Sequence, residues 1–210
     1  MKNRVFCFGC LLVATLVSAQ PTIEWAKAFG GTEADQAQSI QQTSDGGYVV
    51  TGMTISNNGD VFGNHGGLDF WILKLDFLGT VKWKKVYGGS DNDRPNSIKQ
   101  TTDGGFVVAG HTLSNNGNVS GNHGYYDAWV LKLDSIGIIQ WQKTLGGTDW
   151  EEASDIEQTT DGGYILVGWS SSTDGDVSQN HGSLDYWIVK LDYAGNIQWQ
   201  KSYGGSNEDL

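Results

Sequence analysis

IQWQKTLGGT, residues 139–148, recurs as IEWAKAFGGT (23–32), VKWKKVYGGS (81–90) and IQWQKSYGGS (197–206). The tryptophans of these phrases, Trp25, Trp83, Trp141 and Trp199, follow one another at intervals of 58 residues without insertion or deletion. A repeat this long and this regular is a supersecondary unit copied in tandem, so the fold is expected to be an array of like modules. Every loop inside the module then has a fixed length as well.

The second copy shows what the module contains. PNSIKQT (95–101) and FVVAGHT (106–112) flank Thr102-Asp103-Gly104-Gly105. Two β-prone runs around an Asp-Gly-Gly corner predict a hairpin, because glycine supplies the positive φ of the turn. The corner recurs at Asp45-Gly46-Gly47 and Asp161-Gly162-Gly163. A polar loop, 113–127, leads to AWVLKLD (128–134), then a Ser135-Ile136-Gly137 corner, then IIQWQKTLGG (138–147). The expected order is two short strands, a long loop and two longer strands. Trp129, Leu131 and Leu133 alternate against Val130, Lys132 and Asp134, and Ile139, Trp141 and Lys143 against Ile138, Gln140 and Gln142. No helical period competes with this pattern.

Four antiparallel strands in tandem predict all-β blades of a β-propeller, with repeats at about 30–87, 88–145 and 146–203. Residues 22–29 read as a lone copy of the fourth strand, and 204–210 as the start of a further repeat. Propellers hold about four to eight blades. Three full repeats therefore predict an open or incomplete propeller, a segment of a longer array. Packing of blade on blade is expected to bury the tryptophans, at roughly 1.5–3 kcal/mol for each large side chain.

Composition narrows the setting. Residues 1–19 read as a secretory signal, with Lys2 and Arg4, an apolar run and Val17-Ser18-Ala19 before a cleavage site. Export to the cell surface or medium is the expectation. Both cysteines, Cys7 and Cys10, fall inside that leader, so the mature chain has neither disulfide nor thiolate. The chain carries 13 Lys and Arg against 24 Asp and Glu, a net charge of −11. An acidic surface repels phosphate backbones, which argues against nucleic acid as a partner. No apolar stretch outside the leader is long enough for a membrane span. The 30 glycines stand beside only two prolines and recur at fixed places, as turn punctuation does.

The run Leu68-Asp69-Phe70-Trp71-Ile72-Leu73-Lys74-Leu75-Asp76 precedes the Gly79 corner, Trp83 and Gly88-Gly89. Asp93, Pro95, Ile98 and the strand from Gly104 to Gly110 follow, and the first copy offers Asp35, Ala37 and Ile40. These residues resemble the secreted bacterial β-propeller repeat, whose pattern runs D-A-F-V-x-K-L-D, G, W, G-G, D-x-A-x-x-I, G-x-x-Y-V-x-G. The resemblance extends over almost all of the mature chain. It implies blades, export by a type IX-sorted route and display, with no common reaction. The DGGYVV stretches are also similar to strands of bulb-type lectins, although the mannose signature Q-x-D-x-N-x-V-x-Y is missing from the sequence.

The long loop is the candidate site: SNNGDVFGNHGGLD (56–69), SNNGNVSGNHGYYD (114–127) and STDGDVSQNHGSLD (172–185). One reading gives its Asn and Asp side chains to Asx-turns, with His65, His123 and His181 pinning the loop. The sharper reading is a calcium site on Asp60, Asp69, Asp176 and Asp185, since hard cations want clustered oxygens. Asn118 in the second copy weakens it. Zinc lacks the paired spacing of its ligands. Carboxylates repeated identically in every copy suit structure better than catalysis, and no G-x-S-x-G elbow is present. Tyr125, Tyr126 and Trp150 differ from their counterparts in the other copies and are candidates for a ligand-contact surface; Trp169, aligned with Met53 and His111, reads as a variable core position.

The expected function is a secreted or cell-surface scaffold binding an extracellular protein or glycan. It needs no cofactor, apart from the calcium alternative, and carries no catalysis of its own. The alternative is part of a polysaccharide-active enzyme, a glycoside hydrolase or its carbohydrate-binding accessory region.

Overall fold

A computed structural model describes residues 22–209, among which there is no helix. The expected leader, residues 1–19, lies outside the described residues. Strands β1 (Asp35–Gln42), β2 (Tyr48–Thr54), β3 (Asp69–Leu75) and β4 (Val81–Tyr87) form the first sheet. The second holds β5 (Asp93–Gln100), β6 (Phe106–Thr112), β7 (Asp127–Leu133) and β8 (Ile139–Leu145). The third holds β9 (Glu151–Gln158), β10 (Tyr164–Ser170), β11 (Asp185–Leu191) and β12 (Ile197–Tyr203). Each sheet is an antiparallel meander, a four-stranded blade.

The Asp-Gly-Gly corners close the first hairpin as their chemistry requires. Asp103 Oδ1 accepts from Gly105 N at 3.0 Å and from the Thr101 hydroxyl, while Gly104 takes φ +80°. Lys132 then reaches across from β7, with Nζ 2.9 Å from Asp103 Oδ2 and 2.9 Å from the Leu133 carbonyl. Lys74 and Lys190 make the same reach to Asp45 and Asp161. All three lysines are buried, so this polar position of the alternation does not face water.

Each inner strand carries a bulge, between Ala37 and Ser39, between Pro95 and Ser97, and opposite Val167 and Gly168. The bulged strand swings so close to its neighbour that a Cβ on Gly110 would lie 2.0 Å from the Arg94 carbonyl oxygen. Gly52 and Gly168 face the same wall. The repeated glycine before the loop is therefore a steric requirement, and Pro95, which has no N–H to donate, is tolerated beside the bulge.

The sheets stack through two apolar layers. Phe70 and Ile72 of the first sheet meet Ile98, Trp129 and Leu131 of the second, with the Phe70 and Trp129 rings 4.6 Å apart at 62°. Val107 and Val130 on the opposite face of the second sheet meet Ile156, Leu166 and Trp187 of the third. Strand β7 is buried along its whole length because both of its faces are covered. The innermost strands β1, β5 and β9 adjoin one another, and Asn96 bridges from β5 to the Ala153 carbonyl at 2.9 Å.

Three expectations need correction. The four strands of a blade are equal, seven or eight residues each, because a meander's strands share one register and end together. Residues 22–29 form no strand and pair with none among the described residues; they lie instead against the first sheet, through Trp25 on Tyr48 and Lys27 on the Gly79 carbonyl. Trp25, Trp83 and Trp141 are only half-buried, because the outer strand leaves one flank to solvent; full burial belongs to Trp129 and Trp187 on the third strand. The repeating tryptophan still docks in one manner. Trp25 packs edge-on against Tyr48 (5.8 Å), Trp83 against Phe106 (5.7 Å) and Trp141 against Tyr164 (5.5 Å). Each ring also lies against the glycine of the next corner, Gly79, Gly137 or Gly195, all at positive φ.

Candidate functional site

The long loop does two structural jobs. Its first half holds the linker that enters the blade: Thr32 N donates to Asn58 Oδ1 at 2.9 Å and Gly30 N to Asp60 Oδ2 at 3.3 Å. Asn118 Oδ1 accepts from Gly88 N at 3.2 Å, and Asp176 Oδ2 from Gly146 N at 3.3 Å. Only an acceptor oxygen is needed there, which accounts for asparagine in the second copy. Asn57 Oδ1, accepting from Gly63 N at 3.0 Å, builds the turn between the halves.

The second half is locked by its histidine. His65 Nδ1 lies 2.9 Å from Asp69 Oδ2, which also accepts the His65 backbone N–H at 2.7 Å. His123 with Asp127 (2.6 Å) and His181 with Asp185 (2.9 Å) repeat the pair. These three aspartates are fully buried, and the Oδ1 of each has no hydrogen-bond partner. A Cβ on Gly88 would fall 2.0 Å from Asp69 Oδ1 and 2.7 Å from Asp93 Oδ2, so two carboxylates face each other across that glycine. Asp127 and Glu151 flank Gly146 likewise. Asp93 itself is satisfied, by Gly89 N at 2.7 Å, Ser114 Oγ at 3.0 Å and the Thr112 hydroxyl.

Electrostatics follow burial. Desolvation pushes the Asp69 carboxyl up to about 6 against the hydrogen bonds from His65, and the nearby Asp93 charge adds to the rise. Burial raises Asp93 and Asp127 in the same direction. At the corners burial also pulls Asp103 upward, but hydrogen bonds from Thr101 and Lys132 outweigh it and hold the carboxyl at about 2. Asp60 and Asp176 hold linker amides, whereas Asp69 and Asp185 hold histidines. No three His, Cys, Asp or Glu side chains gather as a metal site requires among the described residues.

A different group of residues departs from the repeat. Tyr125, Tyr126 and Trp150 come together at the rim between the second and third sheets. Tyr126 stacks on Trp150 with centroids 5.0 Å apart at 29°, and Tyr125 stands nearly perpendicular to both. Trp169 closes on Trp150 at 5.1 Å, and His111 supports Tyr126 from below at 4.9 Å. Backbone pairing holds the segments that carry the rings: Glu151 N donates to the Tyr126 carbonyl at 2.7 Å, and Ser171 N to the Trp150 carbonyl at 2.9 Å. Tyr125 is 54% exposed and Trp150 39%, so the cluster offers ring surface to solvent. The other copies place Gly67, Leu68 and Asn92, or Ser183, Leu184 and Glu208, at these positions.

Trp169 is thus part of a half-exposed aromatic group and does not fill a core position, because its side chain stands with Ile165 and Val167 on the less covered face of β10. His111 and the buried lysines 74, 132 and 190 also escaped the reading of the sequence. The lysines left a signal, a fixed K-L-D column one strand away from each Asp-Gly-Gly corner.

No family model matches the chain. The chain is similar to "Regulatory protein FlaEY" of Caulobacter vibrioides, at 28% identity over 170 residues covering 76% of this chain. It spans 17% of the length of that protein. No helix among the described residues is long and apolar enough to cross a membrane.

Proposed function

We propose that this chain is a β-propeller segment of a secreted or cell-surface protein, serving as a scaffold that binds a glycan or an extracellular protein without catalysis of its own. The observation that carries the reading is the assembly of Tyr125, Tyr126, Trp150 and Trp169 into one fixed, partly exposed aromatic group at a single blade junction. Aromatic rings with one wet face suit sugar rings and protein side chains alike, since they add contact area at little cost in conformational entropy. Against a catalytic role stands the sameness of the carboxylates: each copy spends them on linkers, histidines and corners. The tandem blades and their inner, outer and loop-bearing edges support the propeller reading.

Glycan-array binding by the full chain tests the proposal, with Trp150→Ala and Tyr125→Ala as variants. Binding that falls at least about ten-fold in both supports the aromatic site, ten-fold being the loss of about 1.4 kcal/mol. Binding untouched by either variant overturns it. Release of reducing sugar from a bound polysaccharide would instead favour the hydrolase.

A further inference from the structure

The copies share one loop length, but the two internal blade junctions are not filled alike. A cavity of about 450 Å³ opens between the second and third sheets, lined by Ser120, His123, Lys143, Thr144, Asp176 and Asn196. Its size falls within the roughly 300–1,000 Å³ of ligand pockets. At the first junction Tyr87 crosses the equivalent space, its hydroxyl bonded to the Gly137 carbonyl. Leu145 takes that place at the second junction and stops short of the equivalent glycine, Gly195, so both line the cavity. Ser120, Thr144 and Asn196 likewise stand where the first junction has Phe62, Val86 and Ile138. Each change makes the side chain smaller or polar, and together they turn a filled junction into an open polar one.

The polar groups are held in place yet keep unused capacity. Gln142, which stands in the place of Lys84, donates to the Ser120 carbonyl at 3.0 Å and to its hydroxyl oxygen at 2.7 Å. Its own oxygen accepts from Trp129 Nε1 at 2.8 Å. Thr144 donates to the same carbonyl at 3.1 Å. The Ser120 hydroxyl therefore accepts one bond and still has its own hydrogen to give. Asp176, at the position of Asn118, accepts from Gly146 N at 3.3 Å through Oδ2, and its Oδ1 has no hydrogen bond among the described residues. Lys143 spends one of its three donors, on Asn196 Oδ1 at 3.2 Å. A free carboxylate acceptor and a free ammonium donor thus line one cavity, and their charges cancel.

We propose that this cavity holds one ring of a neutral sugar, with Asp176 Oδ1 accepting from one hydroxyl and Lys143 and Ser120 donating to its neighbours. A sugar hydroxyl both gives and takes a hydrogen bond, so a wall that mixes carboxylate, ammonium and hydroxyl groups serves adjacent hydroxyls together. Leu145 and Ile197 supply apolar surface for the C–H face of the ring. This site rests on the glycan-binding reading and deepens it, since the loop that carries Tyr125 and Tyr126 also brings Ser120 and His123 to the cavity. Its contacts are separate from those of the aromatic group.

Backbone-amide shifts of the isotope-labelled full chain test it, on titration with the methyl glycosides of glucose, galactose, mannose and N-acetylglucosamine. At least one glycoside produces saturable shifts at residues 120–123, 143–145 and 195–197. Leu145→Tyr refills the cavity as Tyr87 fills the first junction. Asp176→Asn keeps an acceptor for Gly146 N, as Asn118 does for Gly88 N. Both variants retain the fold, and each weakens the binding about ten-fold or more. Binding that survives Leu145→Tyr overturns the proposal, as does the absence of saturable shifts at those residues with every glycoside. Shifts confined to residues 125, 126 and 150 overturn the cavity site while supporting the aromatic one. Saturation by glycine in place of the glycosides overturns the sugar assignment.

Discussion

Trp71 buries its indole N–H without an acceptor, although its counterparts do not: Trp129 donates to Gln142 at 2.8 Å and Trp187 to Gln200 at 2.9 Å. The first copy has Lys84 in the glutamine's place, and a lysine cannot accept. Its own bond, to Asp60 at 3.4 Å, is a part-exposed ion pair worth little. Lys84→Gln is therefore expected to raise stability by about 1 kcal/mol, the usual net value of a hydrogen bond that satisfies a buried donor. Urea unfolding checks it, and a midpoint that falls would contradict it. A second expectation concerns pH. Asp69 has its carboxyl raised from 3.8 to about 6 in the folded chain, mainly by burial, so the fold binds a proton there that the unfolded chain releases. Its contribution is complete below about pH 4 and is lost as pH climbs through 6, with a size of up to about 3 kcal/mol. Asp103 works in the opposite sense: held at about 2, it gives stability that disappears as pH falls from about 4 toward 2. Urea midpoints measured between pH 4 and 7 should decline for the wild type and decline less for Asp69→Asn, which still accepts the His65 N–H but does not ionise. A wild-type midpoint that rises over this range would refute the sign.

Glycine makes the hairpin, but two glycines in one hairpin do so for different reasons. Gly104 sits at φ +80° with open space around it, so Gly104→Ala meets only the left-handed backbone penalty of about 1–2 kcal/mol. Gly110 has a Cβ position 2.0 Å from the Arg94 carbonyl oxygen, so Gly110→Ala forces β5 and β6 apart at the bulge and should cost about 3 kcal/mol or more. Thermal unfolding of the pair decides the order, and equal losses would contradict the steric account. The corner glycine was legible in the sequence because Asp-Gly-Gly is local chemistry. The bulge was not, since it becomes visible only when two strands are paired and one residue is left over. Lys132 was misread for a related reason. Period-two alternation assigns a lysine to the wet face, but a sheet covered on both sides has no wet face, and the charge survives by reaching Asp103 and the Leu133 carbonyl. The aromatic group shows the converse: Tyr125, Tyr126, Trp150 and Trp169 stood out because they broke the repeat, although Trp169 was assigned to the core, while His111 joined them only through folding.

A tandem array buries nothing until its units stack, and that dependence is where the period of 58 residues had its force. The repeat announced like sheets and the order of their strands. It could not announce that residues 22–29 would lie against the first sheet without strand pairing, since register says what a residue resembles and not what it packs on. Among the described residues the second sheet alone is covered on both faces, whereas the first has a partial cap and the third one uncovered side. Stability should therefore be graded across the stack instead of uniform. Native-state hydrogen exchange measures this most directly, strand by strand, on the intact chain. Amides of β6 and β7 should exchange slowest, and those of β10 and β11, in the same positions of the third sheet, clearly faster. Equal protection in all three sheets, or a third sheet that outlasts the second, would contradict the claim that each blade is held by the neighbours it leans on.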